Sequence, residues 1–397
     1  MMYAISGMES PLSFVLLGWF LLELFKAADI YRLLFITALL ALTRLDNIIL
    51  IAPVMCWVLL GRYKTINMVR ALFAISPFLL WSGFSLVYYG FIFPNTKYAK
   101  LSSGISSSDL IENGINYFLV SAAYDIPSAL MVVGVLCYAT WLACKKVRPN
   151  ITILLLCLGC IVNGVYVVYV GGDYMFGRFT ANTIIVCIFM IPFIYHNSGL
   201  RMRAVLLAVF LITYFMHAVV IDNSDFNDVE YRFRLSNSFT HGHAVSGLFT
   251  QPGHIIRDKT THKWAKDGQR LAKKKKRDVV VKRVIGATGF YASARHIIID
   301  SRALSDVLLA RLPVSNTVPL RSGHYTRDIP KGYIYARKTG NTSKMEKSLE
   351  AYYQKIRLIT SAELFRIERL REILLFNIGR YDYLIERYNN AVGNNTI

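Results

Sequence analysis

The chain has 397 residues, of which 54% are hydrophobic and 18% are charged. Its mean hydropathy of +0.39 is too high for an ordinary soluble enzyme of this length, so the composition excludes that class. The net charge of +20 would suit nucleic acid, but many cations lie between Arg257 and Arg283, just after the apolar part, where solvent or lipid headgroups surround them and no nucleic-acid partner is expected.

The composition changes abruptly near residue 221. Residues 11–221 are mostly runs of Leu, Ile, Val and Phe with short polar breaks, whereas residues from 222 onward are polar and rich in Lys and Arg. We therefore predict a polytopic transmembrane domain at 1–221 and a water-exposed domain at 222–397. Membrane lipids are the first expected partner.

Eight apolar segments are long enough, or nearly so, to cross a bilayer. A spanning helix needs about 20 apolar residues, because the hydrocarbon core is ~30 Å thick and each residue rises ~1.5 Å. The region 31–60 is too long for one span and is interrupted by Arg44 and Asp46, so it is predicted to form two short helices. The predicted spans are 12–25, 32–43, 47–60, 69–92, 126–144, 151–170, 180–196 and 203–221.

Lys and Arg in the loops predict the orientation, because cytoplasmic loops are enriched in them. Cations at 62–70, 145–148 and 201–203 mark three inner loops. The loops 93–125 and 171–179 therefore face outside, and so does the C-terminal domain. The same count puts the N-terminus outside, which predicts that one or more spans upstream of Met1 are missing; direct insertion of a short N-terminal tail is the alternative.

Ionisable residues gather at the predicted outer ends of the spans. A charge in hydrocarbon costs roughly 3 kcal/mol or more, so charges at one face favour binding or chemistry there. The outer set consists of Glu9, Arg44, Asp46, Lys97, Lys100, Asp125, Asp173 and Arg178.

Two outer segments carry most of this chemistry. In 93–100, two lysines and Tyr98 at headgroup depth suit a lipid phosphate, and interfacial anchoring explains them equally well. In 171–179, Asp173 and Arg178 are close enough to pair across a glycine-rich turn. A structural ion pair and a sugar or phosphate site are equally supported there.

The polar domain is predicted to be a small α+β domain. Val279–Ile285 and His296–Asp300 are rich in β-branched residues and predict strands. The stretch 344–388 has helical spacing of apolar residues and predicts a terminal amphipathic helix. His324 is a candidate functional residue, although a structural histidine is the commoner case.

Eight short segments follow one another in an order that is typical of one family. They are 6–12, 43–46, 93–100, 171–179, 285–291, 298–300, 308–313 and 321–324. Together they resemble the signatures of a bacterial C-type membrane glycosyltransferase family, which includes the terminal β-(1→2) arabinofuranosyltransferase of the mycobacterial cell wall. Each motif is modest, and the series covers nearly the whole chain.

The resemblance implies a membrane all-α fold of about eight transmembrane helices with a C-terminal periplasmic α+β domain. It also implies transfer of a sugar, arabinofuranose in the best-known member, from a polyprenyl-phosphate donor to a cell-envelope glycan or glycolipid at the periplasmic face of the bacterial inner membrane. The expected phosphate-binding residues are Arg44, Lys97, Lys100 and Arg178. The expected sugar- or acceptor-binding residues are Glu9, Asp46, Asn95, Tyr98, Asp173 and His324.

The chain departs from this family in one respect. The family places its catalytic aspartate after the first span, and this chain begins beyond that point. The general base is therefore expected upstream of Met1, and a chain without it would be inactive. Asp46 and Asp173 are expected to bind donor or acceptor rather than to act as the base. No cofactor is identified with certainty, and a divalent cation is a candidate.

The alternative class is a non-enzymatic membrane protein, either a transporter or an assembly factor for a surface polysaccharide. Transporters typically have discontinuous helices, polar groups near the bilayer midplane and an internal repeat. The sequence has no internal repeat and no discontinuous helices with polar groups near the midplane, and its ionisable span-end residues other than the inner-loop cations lie at one face.

Overall fold

The fold is largely helical and divides into two compact units. One unit comprises Met1–Trp81 and Ser107–Asn237, and the other comprises Ser82–Ser106 and Ser238–Ile397. The predicted boundary at residue 221 lies outside the described residues. The computed structural model describes residues 9–26, 29–101, 104–145, 150–175, 177–201, 204, 208, 211, 215, 262–315 and 322–393.

Nine helices cover the described residues from 9 to 201. Pro11 lies in the first turn of the first helix, where its missing N–H is not needed. The side chains of Asp29 and Asn150 cap two others by accepting from the backbone N–H of Tyr31 (3.0 Å) and Ile153 (3.2 Å). The helices are α1 (Ser10–Phe25), α2 (Ile30–Thr43), α3 (Asn47–Arg62), α4 (Met68–Tyr89), α5 (Asn95–Leu101), α6 (Ser107–Tyr124), α7 (Ile126–Lys145), α8 (Ile151–Tyr169) and α9 (Ala181–Asn197).

The first unit is a helix bundle with a continuous apolar core. Leu17, Phe20, Ile36 and Ile51 are at most 1% exposed within it. Helices α3 and α8 are in close contact at Gly159, where a Cβ atom would lie 2.0 Å from the carbonyl oxygen of Leu50. The core therefore depends on small residues as well as on large apolar ones.

Four of the described helices are long and apolar enough to cross a membrane: Asn47–Thr65, which extends α3, together with α4, α7 and α8. The helices α1, α2 and α9 are apolar but shorter. These helices make the chain an α-helical membrane protein. The predicted span 203–221 lies outside the described residues apart from four isolated positions.

The segment 93–125, predicted as an outer loop between spans, contains the helices α5 and α6. Helix α6 mixes charged and apolar residues, so its hydropathy is too low for a span, yet its apolar side packs on α8. Gly114 makes the contact close, since a Cβ there would lie 2.3 Å from the carbonyl oxygen of Val168. The preceding helix α4 ends at Tyr89, and Gly90 follows with φ +84°.

The described residues of the second unit form two short parallel strands and several helices. The strands β1 (Val279–Lys282) and β2 (Ile297–Asp300) lie within the predicted strand segments and pair in register from Val279 opposite Ile297 to Lys282 opposite Asp300. The helices of this part are α10 (Lys263–Ala272), α11 (Gly286–Tyr291), α12 (Tyr333–Thr339), α13 (Lys347–Ser361), α14 (Ile367–Asn377) and α15 (Asp382–Gly393).

The stretch 344–388 is helical as predicted, but it holds three helices, α13 to α15, where one terminal helix was expected. The chain leaves α13 at Ala362 in an extended conformation, and Gly379 has φ +79° between α14 and α15. Apolar spacing alone does not reveal such breaks, since it continues across them.

Buried arginines attach the segment Ser82–Ser106 to the rest of the second unit. The Arg369 guanidinium donates to the carbonyl oxygens of Ile359 (2.9 Å), Leu364 (2.8 Å) and Tyr88 (3.1 Å). Arg327 donates to the carbonyl of Ala99 at 2.6 Å, and burial lowers the pKa of Arg327 to about 10. The end of α4 and all of α5 therefore fold with the C-terminal unit.

Candidate functional site

Five of the residues predicted from the sequence come together at one end of the first unit's bundle. Glu9 precedes α1, Arg44 and Asp46 lie in the turn between α2 and α3, and Asp173 and Arg178 lie in the loop between α8 and α9. We call these five residues the charged cluster. They come from three separate parts of the sequence, and their side chains form one chain of ion pairs.

Glu9 is the centre of the charged cluster, because its Oε1 atom accepts from both arginines. The distance is 2.7 Å from Arg178 Nη2 and 3.3 Å from Arg44 Nη1. Arg44 also donates twice to Asp46, at 3.0 and 2.6 Å. Arg178 donates to Asp173 Oδ2 at 3.1 Å. The cluster therefore alternates in sign along its length, from Asp46 to Asp173.

Burial strengthens these interactions by excluding water. The Asp173 side chain is 1% exposed, and those of Arg44 and Arg178 are 11% and 21% exposed. Burial disfavours the charge of Arg178, but the charges of Asp173 and Glu9 and their hydrogen bonds outweigh it and raise the pKa of Arg178. Arg178 therefore stays charged at any physiological pH.

The same balance acts on Glu9 and Arg44. Burial opposes ionisation of Glu9, but the hydrogen bond from Arg178 and the charges of both arginines lower its pKa. Burial also opposes the charge of Arg44, and the hydrogen bonds and charge of Asp46 nevertheless raise its pKa. In addition, the Arg44 Cζ atom lies 4.7 Å from the ring centroid of Phe179, a favourable cation–π arrangement.

A buried polar layer supports the charged cluster from within the bundle. The Asn47 amide donates to Ser13 Oγ (3.3 Å) and Thr43 Oγ1 (3.2 Å), and it accepts from Asn182 Nδ2 at 2.6 Å. These side chains join α1, α2, α3 and α9. Hydrogen bonds between buried side chains fix the relative positions of the helices that carry the charges.

Sequence reasoning missed this polar layer, although the spacing contains a signal for it. Ser13 and Asn182 each lie four residues after a member of the charged cluster, Glu9 and Arg178 respectively. A separation of four residues places side chains one helical turn apart on the same face. Polar residues one turn inside an apolar helix indicate a buried partner.

Two hydrogen bonds to helix α6 hold the loop 171–179 in place. The backbone N–H of Phe179 donates to the Tyr117 hydroxyl at 2.9 Å, and the N–H of Gly177 donates to Ser121 Oγ at 3.0 Å. Gly172 has φ +68° and lies directly against the Tyr117 ring. The positions of Asp173 and Arg178 therefore depend on a helix that hydropathy does not reveal.

Substitution of Gly172 by alanine is expected to destabilise the first unit by about 2 kcal/mol, because the new Cβ would lie 2.6 Å from Tyr117 Cβ at a backbone angle that favours glycine. Thermal unfolding of the purified chain in nanodiscs would measure it. Gly134→Ala is the matched control, since no atom lies within 4 Å of a Cβ at that helical position. Equal melting temperatures for both variants would contradict the packing described here.

The remaining predicted site residues belong to the second unit. The Asn95 amide donates to the carbonyls of Ala303 (2.9 Å) and Asp306 (3.2 Å), and the Tyr98 ring centroid lies 4.2 Å from Arg311 Cζ. These contacts give both residues a packing role, and their predicted part in sugar binding stays a prediction.

The two lysines and the histidine that were predicted as site residues, Lys97, Lys100 and His324, are partly buried. Burial lowers the pKa of Lys97, whose ammonium lies 3.2 Å from the ring centroid of Phe93. Lys100 and His324 also have intermediate exposure. Their predicted roles in phosphate and acceptor binding stay predictions.

The described residues contain no group of three or more His, Cys, Asp or Glu side chains placed to hold a metal ion. In the charged cluster, each carboxylate accepts from an arginine instead. The cluster therefore does not fit a divalent cation as it stands, because the cation would have to replace the arginines as the partner of these oxygens.

Comparison with protein-family models, with curated proteins and with solved structures gives no match for this chain. Function is therefore inferred from the residues of the charged cluster and from the resemblance carried by the short segments.

Proposed function

We propose that the chain is an integral-membrane glycosyltransferase that takes a sugar from a polyprenyl-phosphate donor and passes it to a cell-envelope glycan. The observation that carries this proposal is the convergence of Arg44 and Arg178 with three carboxylates at one end of an apolar helix bundle. In this proposal eight spans cross the bacterial inner membrane, and the charged cluster and residues 222–397 face the periplasm.

The chemistry of the donor matches two arginines near the membrane surface. A polyprenyl-phosphate sugar carries one negative charge on its phosphodiester, and the leaving polyprenyl phosphate gains a second when the bond to the sugar breaks. Guanidinium groups that are positioned beforehand stabilise this developing charge. The planar fork of arginine also binds two phosphate oxygens at once.

Glu9 is the member of the cluster that a phosphate would replace. Its side chain is 29% exposed, compared with 16% for Asp46 and 1% for Asp173, and it accepts from both arginines through one oxygen. Phosphate and carboxylate oxygens accept guanidinium hydrogen bonds in the same geometry. A donor phosphate in the place of Glu9 would therefore contact Arg44 and Arg178 together.

Asp46 and Asp173 position the two arginines. Asp46 accepts two hydrogen bonds from Arg44, and Asp173 accepts one from Arg178. Both carboxylates therefore already have a guanidinium as their partner. The proton of the acceptor hydroxyl is therefore assigned to neither of them.

The test is sugar transfer by the protein expressed from its native gene, in membrane vesicles supplied with a panel of polyprenyl-phosphate sugars. Arg44→Gln is expected to lower the rate by about 10²-fold, as removal of one charge-stabilising donor does elsewhere, and Asp173→Asn is expected to abolish transfer. Asp278→Asn is the matched control, because this carboxylate pairs with exposed Lys274 in the second unit. Unchanged transfer by folded Arg44→Gln and Asp173→Asn proteins would remove the cluster from the reaction.

A further inference from the structure

Helix α14 of the second unit presents large apolar side chains to its surroundings. Ile367 is 80% exposed, Leu374 64% and Ile378 67%, and these residues are separated by seven and four positions, so they lie on one face. Phe365, just before the helix, is 77% exposed, and Leu370 at the margin is 37% exposed. We call these five residues the α14 apolar face.

The opposite side of α14 packs into the core of the unit. Arg369 is 1% exposed, Ile373 3% and Phe376 7%. The helix is therefore fixed in rotation, and its apolar face cannot turn inward. A contiguous apolar patch of this kind in a folded protein marks a surface that is covered by a partner or a membrane.

The contacts of α14 indicate whether a partner protein or the membrane covers the α14 apolar face. The Arg369 guanidinium donates to the carbonyl of Tyr88 at 3.1 Å, and the Asn377 amide donates to the carbonyl of Gly90 at 2.8 Å. Tyr88 and Gly90 lie at the end of α4, which is long and apolar enough to cross a membrane. Helix α14 is therefore attached to the end of a candidate span.

The end of α4 has the composition of a membrane–water boundary. Phe84, Tyr88 and Tyr89 are each about half exposed. Phe84 stacks on Tyr88 with ring centroids 5.0 Å apart, and the two tyrosine rings meet edge to face at 4.9 Å. Tyrosines at the end of a span typically lie at headgroup depth. Hydrogen bonds from α14 to this point put α14 at the same depth.

The charges around the apolar face fit the same position. Arg371 lies on the exposed side of α14 between Ile367 and Leu374, and Arg380 lies just beyond the end of the helix. Arg366, just before the helix, pairs with exposed Glu368 at 2.9 Å. Arginine at such positions buries its methylene stem along apolar surface and extends its guanidinium to lipid phosphates. A helix with an apolar face and flanking cations is typical of an interfacial membrane helix.

We propose that α14 is an interfacial helix whose apolar face inserts into the bilayer at the boundary between headgroups and acyl chains. The helix then anchors the second unit to the membrane surface beside the end of α4. This anchoring is independent of the transferase activity proposed above, and the experiment below does not measure sugar transfer.

The test is photo-crosslinking of the full chain in its native membrane, with benzoylphenylalanine replacing Leu374 in one protein and Ile378 in another. Both proteins are expected to form lipid adducts on irradiation, seen by mass spectrometry as peptides from α14 that carry a phospholipid mass. The matched control has the same photoreactive residue at Glu386, an exposed position of α15. Its lipid adduct is expected to be several-fold weaker.

Three results would overturn the proposal. A crosslink between two copies of the chain at 374 and 378 would make the face a dimer contact, and a crosslink to another protein would make it a partner contact. A lipid yield equal to that of the Glu386 control would show that the face is not inserted. Because both labelled positions are exposed, either protein is expected to fold, and unchanged thermal unfolding would establish that it does.

Discussion

Replacement of Arg178 by methionine is expected to destabilise the first unit by about 3–5 kcal/mol, as found when one partner of a buried ion pair is removed. The Asp173 carboxylate is 1% exposed and would lose its guanidinium, and Glu9 would lose the shorter of its two arginine contacts, at 2.7 Å. Chemical or thermal unfolding of the chain in nanodiscs would measure the loss.

Two further variants separate this ion pair from a general effect of losing an arginine. Arg32→Met removes a 64% exposed arginine that pairs with Glu23 at 3.5 Å in the same unit, and its loss should cost less because this guanidinium stays in contact with solvent. The double variant Arg178→Met with Asp173→Asn should recover part of the loss, because it no longer buries an unpaired charge. If Arg178→Met and Arg32→Met had equal effects, the charged cluster would not be the buried network described here.

Replacement of Arg369 by methionine is expected to destabilise the second unit by at least about 3 kcal/mol. The guanidinium is 1% exposed and donates to three carbonyl oxygens, and each buried polar group that loses its partner costs about 1–3 kcal/mol. Since one of these oxygens belongs to Tyr88, the variant should also loosen the end of α4. Hydrogen exchange of residues 82–101 would therefore be faster in the variant than in the wild type.

Arg366→Met is the matched control for this prediction. Arg366 lies three residues away, its side chain is 56% exposed, and its partner Glu368 is also exposed. Its loss should change stability by no more than about 0.5 kcal/mol. The attachment of residues 82–101 by buried Arg369 would be contradicted if Arg369→Met and Arg366→Met gave equal unfolding curves and hydrogen exchange at 82–101 were unchanged.

The sequence was sufficient to predict the apolar helices and the residues of the charged cluster. Apolar runs identify buried or lipid-facing helices directly, and charges at their ends need an explanation whatever the fold. Glu9 and Arg178 are 169 positions apart, and both were among the predicted outer residues. The pattern did not predict which of these side chains would contact one another, because pairing across that distance in sequence depends on how the helices pack.

Sequence patterns did not predict three features of the fold, each for a physical reason. Helix α6 is too polar to register as a span, although one side of it is buried against α8. Residues 82–106 follow an apolar run without a break in composition, so their attachment to the C-terminal unit through Arg327 and Arg369 has no local signal. The turns that divide 344–388 depend on backbone angles rather than on hydropathy.

Binding of an unsubstituted polyprenyl phosphate to the full chain in nanodiscs would show whether the charged cluster binds the phosphate of a membrane lipid. This ligand needs neither the correct sugar nor an acceptor. Wild type is expected to bind it, Arg44→Gln to bind at least about tenfold more weakly through loss of a charged hydrogen bond, and Arg32→Met to bind like wild type. Equal affinities for all three proteins, or no binding by wild type, would contradict phosphate binding by the charged cluster.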